Sequence, residues 1–169
     1  MANKIDTIRL ILTLDCNLNC AYCCNKQEPV YSQFKLKSFE KIDFSLYQNV
    51  CLTGGEPFLY KDALYDILRK IPVSKDIFIY TNGLLITGED IDMLLSYRNI
   101  KGLNIGLHAI KQLERINRKI KMLPVRFLAR DIYIETLLKT YPEQLSRQNL
   151  KGWKLNECNR PNEDWVLLT

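Results

Sequence analysis

Short runs of branched apolar residues alternate along the chain with segments in which apolar residues recur every three or four positions. Runs of the first kind predict buried strands, and segments of the second kind predict amphipathic helices. The predicted strands cover residues 5–14, 49–53, 77–80, 102–108, 125–129 and 152–157. The predicted helices cover residues 38–44, 61–71, 88–95, 111–122 and 133–140. Strands and helices therefore alternate over most of the sequence.

Repeated strand and helix units are typical of a parallel sheet with right-handed crossovers. A complete eight-unit barrel takes about 250 residues, whereas this chain has 169. We therefore predict an α/β fold, a partial (β/α)6 TIM-like barrel with parallel strands. We expect one domain over residues 1–169, with its core over residues 5–157 and a short C-terminal tail.

The least common residue patterns all follow predicted strands. Residues 16–23 hold three cysteines after the first strand, and residues 53–57 read Thr-Gly-Gly-Glu-Pro after the second. Residues 81–83 follow the third strand, and His108 ends the fourth. Sites in parallel barrels form at the carboxyl ends of strands, so the sequence predicts one site there.

Cys16, Cys20 and Cys23 are spaced so that one short loop supplies three thiolates. Thiolate sulfur selects zinc or iron-sulfur centres over hard cations. With Tyr22 just before the last cysteine, the segment resembles the signature of the radical S-adenosylmethionine (SAM) superfamily. The resemblance spans residues 5–157 and favours a compact, single-cluster enzyme.

The resemblance implies a [4Fe-4S] cluster on Cys16, Cys20 and Cys23, with the amino and carboxylate groups of SAM on the fourth iron. An external electron donor would then drive reductive cleavage of SAM. The product, a 5'-deoxyadenosyl radical, would abstract hydrogen from a substrate inside the barrel.

The segment Thr53, Gly54, Gly55, Glu56 and Pro57 has a physical use in this scheme. Paired glycines let backbone approach a ligand closely, and carbonyls and a carboxylate accept hydrogen bonds from an ammonium group. By resemblance, Gly54, Gly55 and Glu56 hold the amino group of SAM.

Other cofactor contacts follow from the resemblance or from topology. The backbone of Tyr22 is expected to meet adenine, and Thr81 and Asn82 lie beside the cofactor. Leu155 on the sixth strand is placed against adenine by topology.

The fourth strand places Asn104, Gly106 and His108 on one face by its period of two. In the family this face lines the ribose and carboxylate of SAM, although Gly106 stands where a serine is common. The only histidine, His108, is open to three interpretations: positioning substrate, relaying a proton, or a structural imidazole. We name His108, Asn82 and Arg126 as substrate-side catalytic candidates, with Arg126 reaching a carboxylate or phosphate.

Positive charge is concentrated in residues 111–130, although the net charge of the chain is only +5. This stretch either faces an anionic substrate or is a solvated helix face. The substrate class stays open between a small molecule, a nucleotide and a protein.

Three alternatives remain at this point. One is an activating enzyme with a glycyl-radical protein partner. Another is a zinc module that adds Cys24, Cys51 or His108 to the three cysteines, although zinc sites usually show two spaced pairs. The third is a degenerate domain that binds cofactor as a partner subunit.

The remaining sequence features concern the cellular compartment and the use of the cysteines. The N-terminus has no charged-then-apolar leader, and no apolar run approaches the roughly 18 residues of a membrane span. Four of the six cysteines lie within nine residues, which favours a metal over disulfides. We expect a cytoplasmic protein without membrane contact and without a second cluster on Cys24, Cys51 and Cys158.

Overall fold

The computed structural model describes residues 5–26, 32–154 and 162–169. These residues contain eight strands: β1 (Thr7–Ile11), β2 (Lys35–Lys37), β3 (Asn49–Thr53), β4 (Asp76–Thr81), β5 (Ile100–Leu107), β6 (Val125–Arg130), β7 (Leu150–Trp153) and β8 (Glu163–Leu168). They also contain three α-helices: α1 (Lys61–Lys70), α2 (Gly88–Leu95) and α3 (Ile134–Thr140).

All strands pair in parallel in one sheet, in the order β2-β8-β1-β3-β4-β5-β6-β7. β2 and β7 are the two edges, so the sheet is not closed into a complete barrel. The predicted α/β partial barrel is therefore confirmed. Within the residues described, no helix has the length and apolar character needed to cross a membrane.

The main hydrophobic core lies between one face of the sheet and the helices. Leu10, Leu52 and Leu103 on the strands are fully buried with Leu64 of α1 and Ile91 of α2. Each such side chain contributes about 1.5–3 kcal/mol on burial. The helices thus fix one face of the sheet, and we call the opposite face the inner face.

Local sequence sets where the helices begin. α2 starts with a capping box, in which Thr87 Oγ1 accepts from the N–H of Asp90 and the Asp90 carboxylate accepts from the N–H of Thr87. A 3-10 turn, Pro57–Tyr60, precedes α1, and Glu56 caps that turn. Both caps lie in loops at the carboxyl ends of strands.

Two strands were not predicted. β2 has three exposed residues and no buried face, so it carries no periodic signal. β8 falls in the segment expected to be a short tail, yet it pairs with β1 on one side and β2 on the other. β7 begins at Leu150, two residues before the predicted strand, and residues 155–157 lie outside the described chain.

Two predicted helices are wrong. Residues 111–122 form two 3-10 turns, Ile110–Arg115 and Arg118–Met122. Asn117 separates the two turns. Its side chain accepts a hydrogen bond from the N–H of Lys119 and so caps the start of the second turn. Residues 38–44 likewise give two short turns, Phe39–Lys41 and Phe44–Leu46.

Candidate active site at the carboxyl ends of the strands

The loop after β3 runs directly against the stem of the cysteine loop. The N–H of Gly55 donates to the carbonyl of Thr13 at 2.7 Å, and the N–H of Glu56 donates to that of Asp15 at 2.8 Å. A Cβ on Gly54 would lie 2.2 Å from the Thr13 oxygen, and one on Gly55 would lie 1.9 Å from the Asp15 oxygen. Gly54 also has a φ of 140°. The two glycines therefore allow a close approach of backbone to backbone, where the sequence predicted an approach to ligand.

The Glu56 carboxylate is completely buried and joins this loop to the end of β4. Its Oε1 accepts from the N–H of Phe58 at 3.1 Å and from Thr81 Oγ1 at 2.7 Å. Its Oε2 accepts from the N–H of Asn82 at 2.7 Å. Burial raises the pKa of Glu56, and these three donors oppose that effect. Both oxygens thus serve the protein itself, and a contact with the amino group of SAM stays a prediction.

The three cysteines of the loop carry free thiols, with Cys16 exposed and Cys20 and Cys23 half-buried. The Cys16 sulfur accepts a hydrogen bond from the N–H of Leu18 at 3.4 Å. Desolvation raises the pKa of Cys16 and Cys20, and the proximity of Cys23 raises both further. A cationic iron-sulfur centre would neutralise the three thiolates. The donor set therefore fits the predicted cluster.

The zinc alternative requires ligands that converge on one metal ion. In residues 5–26, 32–154 and 162–169, no three His, Cys, Asp or Glu side chains are arranged to hold one metal ion. Cysteines that bind a cluster attach to different irons and need not converge on one point. Cys51 is buried in β3. Cys24 is disulfide-bonded, contrary to the expectation that the cysteines favour metal over disulfides.

Asn82 connects the end of β4 to the cysteine loop. Its Nδ2 donates to Asn17 Oδ1 at 2.7 Å and lies 4.0 Å from the Cys16 sulfur. Its Oδ1 accepts from the N–H of Leu84 at 3.0 Å. Asn82 therefore lies beside the cysteine loop, and its contact with a cofactor stays a prediction.

Gln112 holds the ends of β4 and β5 together and was not predicted. Its Nε2 donates to the carbonyls of Asn82 at 2.8 Å and Gly106 at 2.7 Å, while its Oε1 accepts from the N–H of His108 at 2.7 Å. Gln112 is buried and lies in the first of the two 3-10 turns. The sequence offered no signal for it, because one glutamine in a basic segment forms no motif.

The polar face of β5 lies on the inner face of the sheet, since Leu103, Ile105 and Leu107 belong to the core on the other side. Asn104 is buried there. The imidazole of His108 lies over Gly106, because a Cβ on Gly106 would be 2.8 Å from His108 Nε2.

His108 Nδ1 is buried and has no hydrogen-bond partner in the described part of the chain. Burial lowers the pKa of His108, so the imidazole is neutral near pH 7. An unpaired polar atom at this position is available to a ligand.

Tyr22 packs against three side chains on the inner face. Its ring centroid lies 5.9 Å from that of His108 and 6.0 Å from that of Trp153, and the Arg130 guanidinium lies 4.9 Å from the ring. Arg130 and Trp153 were not predicted as site residues. Only the pairing of strands could have indicated them, because Arg130 and Trp153 are register partners at the ends of β6 and β7, beside the cysteine loop.

The remaining predicted residues are distributed around this centre. Thr53 ends β3, and Thr81 and Pro57 are buried near Glu56. Arg126 is exposed and pairs in register with Asn104 on the inner face. The predicted contact at Leu155 lies outside the described residues.

Comparison with protein families gives one family match. The model of the Radical SAM superfamily matches residues 10–127. A GTP 3',8-cyclase of Clostridium perfringens is 34% identical over 120 residues, which cover 64% of this chain and 36% of that protein. A probable GTP 3',8-cyclase of Metallosphaera sedula is 35% identical over 115 residues, covering 63% of this chain and 35% of that protein. The chain therefore spans about a third of the length of these curated relatives.

Two solved structures have a similar fold. Streptococcus suis SuiB bound to S-adenosylmethionine gives a TM-score of 0.57 at 17% identity, covering 98% of this chain and 48% of that one. BtrN in complex with AdoMet and 2-DOIA gives a TM-score of 0.51 at 20% identity, covering 76% of this chain and 58% of that one. Enzymes of the matched family use a [4Fe-4S] cluster and SAM, and the cysteine loop fits that cluster. The chain belongs to the Radical SAM superfamily and is an enzyme of that family.

Proposed function

We propose that this enzyme cleaves SAM reductively and directs the radical at a small anionic substrate on the inner face of its sheet. The observation that carries the proposal is the loop of Cys16, Cys20 and Cys23, whose stem is bonded to Gly55 and Glu56 at the carboxyl ends of the strands. When bound by Cys16, Cys20 and Cys23, a [4Fe-4S] cluster would supply the electron for reductive cleavage of SAM. The protein supplies position, hydrogen bonds and protection from water.

Several side chains would position the two cofactors. Asn82 and the N–H of Leu18 hold the Cys16 sulfur in place. The Glu56 carboxylate joins the loop of Gly54 and Gly55 to the end of β4, and we assign the amino group of SAM to the backbone carbonyls of that loop. Among the remaining cofactor contacts, we assign the ribose and carboxylate of SAM to Asn104 and Gly106.

The relatives suggest the first substrate to test. Their name, GTP 3',8-cyclase, concerns a purine nucleotide. A nucleotide also agrees with the substrate-side arginine Arg126 on the inner face. We therefore propose GTP as the leading candidate. Neither the comparisons nor the donor geometry favours a glycyl-radical partner or a zinc module.

The test is anaerobic reconstitution with iron and sulfide, followed by assay of 5'-deoxyadenosine formed from SAM under a strong reductant, with and without GTP. We expect about four irons per chain and product from the unaltered protein. Cys20→Ala should abolish product, whereas Cys51→Ala is the matched control because it removes a thiol outside the loop. A protein that holds a full cluster but forms no 5'-deoxyadenosine in either condition would contradict the proposal.

A further inference from the structure

The inner face of β6 and β7 carries a row of cations and one indole. In the register of the sheet, Arg126 pairs with Asn104, Lys151 pairs with Leu128, and Trp153 pairs with Arg130. In a parallel sheet, paired residues point to the same face. Arg126, Arg130, Lys151 and Trp153 therefore share the face that carries Asn104.

Packing on the other face supports this orientation. Phe127, Ala129 and Leu150 are buried in the main core, so their neighbours along the strands point inward. A Cβ on Gly152 would lie 1.9 Å from Asp131 Oδ1, which places Gly152 against the α3 side and its neighbour Lys151 on the inner side.

The opposite half of the inner face is already filled and neutral. Arg9 on β1 is only 4% exposed and donates from Nε to Glu163 of β8 at 2.7 Å. Its guanidinium lies 4.5 Å from the Tyr80 ring centroid and 4.9 Å from that of Trp165. The charge of Arg9 is therefore paired with that of Glu163, and the Arg9 side chain fills the inner face around β1.

Arg126 and Lys151 differ from Arg9 in exposure and in charge pairing. Both are exposed, and neither forms a salt bridge with an acidic side chain of residues 5–26, 32–154 or 162–169. Two unpaired cations on the inner face of the sheet raise the local concentration of anions. The guanidinium of Arg126 presents a planar fork that suits phosphate oxygens.

Aromatic groups lie between these cations and the cysteine loop. Trp153 packs against the small inner cluster of Ile11 and Trp165, and it contacts Tyr22. The side chains of Trp153 and Tyr22 are thus held in place, and both are only half-buried, so part of each ring is open to a flat ligand.

We infer that the surface formed by Arg126, Lys151, Trp153 and Tyr22 binds the substrate, and that this substrate is a phosphorylated small molecule with a ring. Its phosphates lie on Arg126 and Lys151, and its ring lies toward Trp153 and Tyr22. Arg126 and Arg130 are four residues apart, or about 13 Å along the strand, so a phosphate held at Arg126 leaves the rest of the molecule reaching the cysteine loop. The inference deepens the proposed function and rests on it.

The exposed cations of the second 3-10 turn provide a control. Arg118 and Lys119 are exposed and lie in the turn that follows Asn117, which packs by Ile120 against the main core. They are therefore on the helix side of the sheet and carry the same charge as the inner pair. The sequence left open whether residues 111–130 face a substrate, and the structure divides the stretch between the two faces.

The test is equilibrium binding of GTP to the reconstituted, SAM-free protein by calorimetry. The double variant Arg126→Gln/Lys151→Gln is compared with Arg118→Gln/Lys119→Gln. Loss of the inner pair should weaken binding by about tenfold or more, as expected for hydrogen bonds between charged groups. Loss of the outer pair should change the Kd by less than about threefold. Urea midpoints close to that of the unaltered protein ensure that both variants are folded.

Three outcomes would overturn the inference. Equal weakening by both pairs would mean a general charge effect. Displacement of GTP by SAM, one for one, would mean that the surface belongs to the SAM-binding site. Failure of GTP to bind at about 1 mM, the upper end of usual substrate affinities, would remove the site. Because binding is measured without SAM, loss of the proposed SAM cleavage and loss of this site are separate results.

Discussion

The hydroxyl of Tyr22 donates a 2.8 Å hydrogen bond to the backbone carbonyl of His108, 86 residues away. This bond ties the cysteine loop to the end of β5. The sequence assigned Tyr22 a backbone contact with adenine, while the structure gives its side chain a separate task. Any shift of β5 would therefore be passed to the loop that carries the cluster.

The stability of the fold should depend on pH through His108. It is the only histidine of the chain, and burial lowers its pKa. The unfolded state therefore binds a proton below about pH 6.5, while the folded state resists it. The free energy of unfolding should fall as the pH drops from 7 through 6.5 toward the lowered pKa.

Urea unfolding of the unaltered protein and of His108→Gln between pH 7 and pH 5 measures this effect. The difference in unfolding free energy between the two proteins should move in favour of the variant as the pH falls. A constant difference over that range would show that His108 does not titrate differently on folding.

Gly55 should not tolerate a side chain. An alanine there would bring Cβ within 1.9 Å of the Asp15 carbonyl, so Gly55→Ala should cost about 1–3 kcal/mol or more through overpacking. It should also lower iron uptake, because the stem of the cysteine loop must move.

Gly88→Ala is the matched control. Gly88 begins α2, and the nearest atom to an added Cβ is Asn117 Nδ2 at 4.0 Å. This change should be neutral or stabilise by less than about 1 kcal/mol. Urea unfolding and iron content compare the two variants, and equal losses would refute the close-contact explanation.

Arg9 and Glu163 should act as a unit. Their side chains are 5% and 16% exposed and are joined at 2.7 Å. Arg9→Met leaves a carboxylate without its partner and should cost about 3–5 kcal/mol. Glu163→Gln should also destabilise.

The double variant Arg9→Met/Glu163→Gln should lose less stability than the sum of the two single variants. A double-mutant cycle by urea unfolding measures this coupling. Additive losses would mean that Arg9 and Glu163 stabilise the fold independently of each other.

Asn82 should influence the reduction potential of the reconstituted cluster. Hydrogen bonds to the sulfurs stabilise added negative charge, and Asn82 Nδ2 lies 4.0 Å from the Cys16 sulfur. Asn82→Ala should make the potential more negative, and Asn82→Asp should make it more negative still, because it adds a charge.

A redox titration followed by electron paramagnetic resonance gives the potentials. Gln48→Ala is the control, since its amide bonds Ser74 and Asp76 beside the amino ends of the strands. If Asn82→Ala and Gln48→Ala give the same potential as the unaltered protein, the Asn82 amide does not act on the cluster.

The local order of the strands and the loops that carry the candidate site could be predicted because both depend on neighbouring residues. Apolar runs marked six strands, and the cysteines and glycines marked the loops that follow them. β8 could not be predicted in its place, because its pairing with β1 joins residues more than 150 positions apart. Gln112 escaped prediction for the same reason: its three partners meet only when β4 and β5 lie side by side.

The glycines show a further limit of sequence reasoning. Gly54 and Gly55 do mark a close approach, as predicted, but the approaching group is the backbone of Thr13 and Asp15. A glycine pair indicates that something is near without indicating what.

The position of β8 between β1 and β2 has a consequence for synthesis. β1 leaves the ribosome long before its partner β8, and the edge of β1 that faces β8 stays unpaired until residues 163–168 have emerged. During that time the nascent chain exposes a strand edge that another chain can join. Folding of this sheet is therefore finished after translation of β8, and conditions that slow translation should favour aggregation.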